Sequence, residues 1–395
     1  MRGHFAEGRW KSDPALYAPP RYRRGCSYDA FVPDTLVAFP PIEATVAGAI
    51  SAAEEAIRAL NRVAQPGLQP LARLLLRTES IASSKVEGMQ VDTRSLARAE
   101  ARSDLGHAIG LEAAEILANV DAMQLAVAEA TEADALTLDH ILATHAALLA
   151  HAPNAEKLAG VIRHEQNWIG GNDYNPCGAT FVPPPPSDVL PLLDDLIVFC
   201  NEESLPPLVQ AAFAHAQFET IHPFADGNGR TGRALVQVLL RRRRLAPEYV
   251  PPISIVLAAD RDAYLAGLTS FREGRENRWL ESFAEAAARA AELATGYLMR
   301  VQELQQNWRE SIAALGLRAD SAAWLLVDLL PGHPIISQPV AVEATGRSRP
   351  VVQHAIDHLV AVGVLLPLSS GKRNRQWEAA GLLDLSAQFE TLGTR

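Results

Sequence analysis

The sequence predicts a mostly helical protein with one short β-hairpin and a C-terminal module of helices and a two-stranded ribbon. Three observations carry this expectation. Apolar residues recur at helical spacing over long stretches, such as residues 71–87 and 208–221. Proline and glycine break that spacing at Pro66 and Pro70, at Pro183 to Pro186 and from Pro331 to Pro334. Composition agrees: 48% of residues are hydrophobic and 6% aromatic, as expected for a helical globular chain with a sizeable core.

At 395 residues, more than one domain is expected, and the pattern divides at about 1–110, 111–300 and 301–395. Residues 1–42 are Pro-rich and partly basic, with Arg21, Arg23 and Arg24, and read as irregular. A helix follows over about 42–64. A second covers 71–87, and further helices fill the chain to about 152. Between 160 and 182, two apolar runs flank a Gly/Asn/Pro-rich link, the signature of a hairpin or of paired extended segments. The helix over 208–221 ends at His222, because Pro223 disfavours the helical conformation in the residue before it. Another begins near Arg230 and carries Ala234, Leu235, Val238 and Leu239 on one side. Trp279 and Phe283, four apart on a further helix, read as core. Helices over 321–330, 338–344 and 349–362 then lead to strands at 364–368 and 375–378, joined by a turn that contains Lys372 and Arg373.

Charge and cysteine usage narrow the functional classes. The formal net charge of −10 argues against obligate binding of the whole chain to nucleic acid or an anionic membrane. No apolar run is long enough to span a bilayer, and the start lacks a secretory apolar segment. Cys26, Cys177 and Cys200 show no metal-ligand spacing, so free thiols, a reducing compartment and a cytoplasmic setting are expected. The run Arg241 to Arg244 sits near a helix C-terminus, where it complements the dipole; a solvated structural role is expected.

The richest chemistry lies in residues 222–233, His-Pro-Phe-Ala-Asp-Gly-Asn-Gly-Arg-Thr-Gly-Arg. His222 stands at a helix-to-loop corner and, as a neutral imidazole, can act as a base at cellular pH. Gly227 and Gly229 let the backbone turn sharply and approach an anion. The next helix would present its free N–H groups and positive dipole end to that loop, which favours phosphate. Asn228, Thr231 and Gly232 belong to the same nest. Arg230 and Arg233, three apart, can each grip phosphate oxygens in a fork. Asp226 offers the hard oxygen that Mg²⁺ prefers, with substrate phosphates completing its shell. Together these residues suit a nucleoside triphosphate and a metal ion.

The form HPFxDGNGRxxR resembles the signature of the Fic family, whose members mostly transfer AMP from ATP to protein hydroxyls. A second motif strengthens the likeness. Ser83, Glu87 and Gly88 match the family's inhibitory pattern of Ser/Thr, three residues, Glu, then Gly/Asn, at the end of the helix over 71–88. Ser83 and Glu87 share a helix face, and Gly88 suits the position just past the helix end. The resemblance implies that Glu87 pairs with Arg233 and takes the space that the γ-phosphate needs. It is to the class of the family with an N-terminal inhibitory helix. It further implies that residues 136–149 open the Fic core and that residues 160–184 form a flap, which docks the target backbone as an added strand. Residues 261–268 resemble the segment that walls the nucleoside pocket, where Tyr264 either contacts adenine or is core.

The C-terminal order of elements resembles a winged helix-turn-helix, seen in many Fic proteins of this class. Arg347, Arg349, Lys372, Arg373 and Arg375 are its candidate DNA-phosphate contacts. The function this implies is a Mg²⁺-dependent, autoinhibited protein adenylyltransferase that modifies a target hydroxyl or itself and releases diphosphate. Alternatives are another transferred group such as UMP or phosphocholine, removal of AMP from modified protein, and a DNA-binding regulator. A homodimer that holds the inhibitory helix in place is a further expectation.

Overall fold

A computed structural model describes residues 3–15, 17–36, 41–63, 69–368 and 374–393. The chain opens with strands β1 (Gly3–Trp10) and β2 (Cys26–Pro33). Helices α1 (Ala44–Arg62), α2 (Gln69–Val86), α3 (Thr93–Ser103) and α4 (Leu111–Glu132) follow, then α5 (Leu138–Leu148) and the short α6 (Ala155–Leu158). After an extended segment come α7 (Pro186–Asn201), α8 (Pro207–Ile221), α9 (Asn228–Arg242), α10 (Ser254–Ala259), α11 (Arg261–Arg272) and α12 (Glu276–Ala313). The last part comprises α13 (Ala322–Leu329), β3 (Ile335–Ser337), α14 (Gln338–Thr345), α15 (Arg349–Ala361), β4 (Leu365–Pro367), β5 (Gln376–Ala379) and α16 (Leu382–Leu392). Among the described residues, no helix is long and apolar enough to cross a membrane.

The fold resolves into two compact units, one of residues 1–52, 122–245 and 261–285, the other of residues 53–121, 246–260 and 286–395. These units cut across the consecutive stretches read from the sequence.

The first unit is built on α8. Every residue from Leu208 to Ile221 is buried, so this helix has no solvent face and forms the axis of the core. It packs against α7, α9 and α11. Gly232 lets α9 come close: a Cβ there would lie 2.8 Å from Glu219 Oε1 and 3.0 Å from Phe218. Proline opens both α7 and α8 at the first helical position, where its missing N–H has no intrahelical partner to lose. Trp279 and Phe283 are core, as expected, and Trp279 Nε1 donates to the Ala212 carbonyl at 2.9 Å.

The first unit also holds the largest departure from the sequence reading. Residues 1–42 are not irregular throughout: β1 and β2 form an eight-pair antiparallel ladder from Gly3↔Pro33 to Trp10↔Cys26. Contacts far along the chain hold it. Phe31 N–H donates to the Val182 carbonyl at 2.9 Å, and Asn175 Nδ2 to the Tyr22 carbonyl at 2.7 Å. Tyr22 stacks on Tyr174, and Trp10 meets Trp168 edge-on. Cys26 and Cys177 are joined by a disulfide, which overturns the expectation of free thiols and with it the ground for a reducing compartment. Cys200 remains a buried thiol whose pKa burial pushes up.

The segment over 160–182 is less of a hairpin than expected. Its two arms meet in a single bridge, Ile169↔Phe181, and the link between them is closed by side chains. Asn172 Oδ1 accepts from the N–H groups of Tyr174 and Asn175, while Gly170, Gly171 and Gly178 take left-handed backbone. The Arg241–Arg244 run is not simply solvated. Arg242 donates to the carbonyls of Ala130, Ala133 and Asp134, and Arg243 to those of Glu202, Glu203 and Leu205. They satisfy chain-end carbonyls that the helix periodicity does not reveal.

In the second unit, Leu298, Val301, Leu326, Ile336, Val352, Ile356 and Trp377 lie in one core cluster. Strands β3, β5 and β4 form a small antiparallel sheet in that order. β3 is an addition to the sequence reading, which saw only the Pro/Gly break before it. Lys372 and Arg373, assigned to the ribbon turn, lie outside the described residues.

Candidate functional site

The signature loop lies between α8 and α9, in the first unit. His222 caps α8 in left-handed backbone, with φ 50° and ψ 61° and its N–H on the Phe218 carbonyl at 2.9 Å. That conformation costs a non-glycine residue about 1–2 kcal/mol, so something must hold it. Arg163 Nε and Asn167 Nδ2 do so, donating to the His222 carbonyl at 2.8 and 3.1 Å. Arg163 also donates to the carbonyls of Pro184, Ile221 and Glu165. Its burial lowers the guanidinium to about 10, still protonated at neutral pH. Ile162 bridges to Phe224, and Arg163 N–H donates to the Pro223 carbonyl, so the base of the extended segment is bonded to the signature loop itself.

The loop turns around Phe224. Its ring is fully buried and stacks on His145 at 3.6 Å between centroids and 4° between planes. Asn228 Oδ1 accepts from the Phe224 N–H and Asn228 Nδ2 donates to its carbonyl, both at 2.8 Å. Asn228 thus braces the loop rather than pointing into the nest. His145 Nδ1 accepts from the Gly160 N–H at 3.0 Å, so in the neutral ring the proton is on Nε2, which donates to the Asp226 carbonyl at 2.9 Å. Burial holds this imidazole down to about 4, and it stays neutral.

At the far side, Gly227 is the N-cap of α9 in left-handed backbone, φ 77°, with no side-chain cap. The helix starts at Asn228, two residues earlier than read from the sequence. The N–H groups of Asn228, Gly229 and Arg230 are those an α-helix leaves without intrahelical partners. Asp226 is 64% exposed at its side chain; Oδ1 accepts from the Gly227 N–H at 2.6 Å and lies 3.9 Å from Arg230 Nη2. Arg230 is only 3% exposed, and its Nε and Nη1 make no hydrogen bond within the protein. Thr231 Oγ1 is in the same position. A buried guanidinium with unused donors beside an uncapped helix N-terminus is an arrangement that an anion completes. Arg233 is also buried, on the same helix.

Tyr264, grouped from the sequence with the nucleotide-binding residues, is core. It is 6% exposed, its hydroxyl meets His215 Nε2 at 2.9 Å, and its ring packs with those of His215 and Trp279. Ser83, Glu87 and Gly88 lie at the end of α2, in the second unit. Ser83 is fully buried and Glu87 exposed. Gly88 has φ 93°, and the bonds Gly88 N–H to Lys85 O and Met89 N–H to Ser84 O close the helix as a Schellman motif, the role the sequence gives it. The sequence reading missed His145, Arg163 and Asn167 as site residues. Their signal, polar residues within apolar or extended segments, was present but pointed at no partner.

A model of the Fic/DOC family matches residues 135–240, and a model of that family's N-terminal region matches residues 47–128. Protein adenylyltransferase Fic of Drosophila virilis is 29% identical over 274 residues, covering 66% of this chain and 48% of that one. Protein adenylyltransferase fic-1 of Caenorhabditis elegans is 35% identical over 123 residues, covering 30% and 22%. The chain thus spans about half the length, or less, of the curated relatives it matches. Among solved structures, a Fic family protein from Desulfovibrio desulfuricans G20 superposes with a TM-score of 0.52 at 21% identity, over 87% of this chain and 98% of that one. Fic-1 from C. elegans gives 0.51 at 22%, over 65% and 74%. These structural likenesses speak for the fold. With two family models matched in order and the signature loop mounted between α8 and α9, the chain is similar to the Fic/DOC family over residues 135–240 and to that family's N-terminal region over residues 47–128.

Proposed function

We propose that this protein transfers AMP from ATP to a hydroxyl side chain of a target protein or of itself. One observation carries the reading: an immobilised histidine and a buried, unsaturated arginine flank a single uncapped helix N-terminus. His222 takes the proton from the incoming hydroxyl. The hydroxyl oxygen forms a bond to the α-phosphorus as the bond to the bridging oxygen breaks, and diphosphate leaves. Arg230, Arg233, Thr231, Gly232 and the N–H groups of Gly229 and its neighbours hold the phosphates. The curated relatives named protein adenylyltransferase support the same reaction.

Mg²⁺ fits this donor set. Asp226 presents an exposed carboxylate that would hold the ion, with phosphate and water supplying its remaining ligands. When bound it neutralises developing charge on the phosphates. Glu87 acts as a brake on this transfer, and Ser83 and Gly88 set the end of the helix that carries it.

The order α13-β3-α14-α15-β4-β5 supports a winged helix-turn-helix, in which Arg347 and Arg349, both exposed, are available to DNA phosphates. A cytoplasmic setting rests on the sequence expectation alone, and the Cys26–Cys177 disulfide counts against its reducing part.

The test incubates wild type, Glu87→Gly and His222→Ala with Mg²⁺ and ATP radiolabelled at the α-phosphorus, with and without lysate protein. Label on protein should rise in Glu87→Gly and vanish in His222→Ala. Label persisting in His222→Ala would remove the histidine as base, and equal label in wild type and Glu87→Gly would remove the brake.

A further inference from the structure

Glu219 lies one helical turn before His222, and its carboxylate is almost wholly buried. Its Oε2 stands 3.9 Å from His222 Nδ1. The left-handed turn at His222 folds the imidazole back over the last turn of α8, which makes this i,i+3 approach possible. On the other side the carboxylate lies against α9 at Gly232, where any Cβ would stand 2.8 Å from Oε1. Gly232 therefore makes room for this carboxylate as well as for the helix pair.

Arg272 on α11 is the third member. Its Nε reaches Thr220 Oγ1 at 3.4 Å, and its guanidinium lies 3.7 Å over the Phe181 ring of the extended segment. Burial lowers Arg272 to about 10, and the charge of Glu219 opposes that fall. Taking a carboxylate out of water is unfavourable unless it is paired, so a bare structural role would be met more cheaply by an amide or an apolar residue.

We propose that Glu219 is the positioning residue of His222. The carboxylate holds the imidazole with its proton on Nδ1, so that the lone pair of Nε2 faces the incoming hydroxyl. When Nε2 takes the hydroxyl proton, the resulting imidazolium is stabilised by Glu219, and Arg272 keeps Glu219 ionised throughout. The role within the reaction rests on the proposed transfer chemistry; the tautomer does not.

The experiment therefore reads both. The full-length protein is labelled with ¹⁵N in its histidine rings, and the tautomers are read from long-range proton–nitrogen correlations, with His222 assigned by its loss in His222→Asn. Wild-type His222 should be protonated on Nδ1 and should shift toward Nε2–H in Glu219→Gln. His145, Nε2–H by its own bonds, should be unchanged and reports that the fold is intact. In the Glu87→Gly background, Glu219→Gln should lower kcat for AMP transfer about 10- to 100-fold, a part of what a positioned base contributes, with KM for ATP little changed. Glu219→Asp should recover a share of that loss.

An Nε2–H tautomer for His222 in wild type would overturn the proposal even if Glu219→Gln fails to fold. So would an unchanged His222 tautomer in a folded Glu219→Gln, or a KM rise that accounts for the whole loss. The expected tautomers with no AMP transfer in any variant would instead sink the transferase reading and leave the role of Glu219 standing.

Discussion

Acid should weaken the mounting of the signature loop before it reaches the phosphate-binding groups, through His145. This ring accepts from Gly160, donates to Asp226 and stacks on Phe224, and burial lowers it from 6.5 to about 4 in the folded protein. In the unfolded chain it titrates near its ordinary value. Between those values the unfolded state binds the extra proton, so stability is complete above about 6.5 and declines as pH falls toward 4. Linkage for these two values gives a loss of about 2 kcal/mol between pH 7 and pH 5, out of about 3 in full. His145→Gln keeps one donor and one acceptor but does not titrate. Denaturant unfolding of both proteins at the two pH values isolates the term. His333, lowered to about 4 by burial in the other unit, is common to both and drops out of the difference. Wild type should lose about 2 kcal/mol more than His145→Gln over that interval. Equal losses, or a folded-state NMR titration of His145 with a midpoint near 6.5, would refute the reasoning.

Two further perturbations test the loop and its surroundings. Gly227→Ala combines left-handed backbone at φ 77° with a Cβ placed 3.1 Å from Leu148 and 3.3 Å from His145 Nε2. It should cost about 1–2 kcal/mol from the backbone alone, lower Tm and weaken ATP binding by calorimetry; an unchanged Tm would count against the geometry. Peptide mapping without reductant should recover Cys26 and Cys177 as one linked species. Because they are 151 residues apart in sequence, Cys26→Ser should destabilise by up to about 5 kcal/mol on chain-entropy grounds, read by denaturant unfolding.

What the sequence reveals and what it hides divide along sequence distance. The end of α8 follows from a proline just beyond it and the close of α2 from Gly88, while the glycines before α9 place its start to within two residues. These are local constraints, and they put His222, Asp226 and the arginines of α9 in the right order on the right elements. The residues that hold the site arrive from far away. Arg163 is 59 residues from the carbonyl it grips, and His145 is 81 from the one it bonds. The β1–β2 pair is stabilised by the segment over 168–182, so a reading of residues 1–42 alone sees prolines and small residues without a partner. Tyr264 shows the converse. Its spacing fits either a pocket wall or a core, and the burial and the bond to His215 that the structure shows could not be read from it.

The extended segment has two parts with different freedom to change. Its stem, through Arg163 and Asn167, is bonded to the His222 turn, so a change there acts on the base directly. Its tip, residues 170–178, bonds to itself and to the β1–β2 hairpin through Asn175, Tyr174 and Cys177. Tip and hairpin therefore depend on each other: a change in one has to be matched in the other. A graft that moves the tip alone would strand Tyr22 and Cys26, whereas one that moves both must also keep Tyr28 of β2 beside Arg163, which holds the His222 turn.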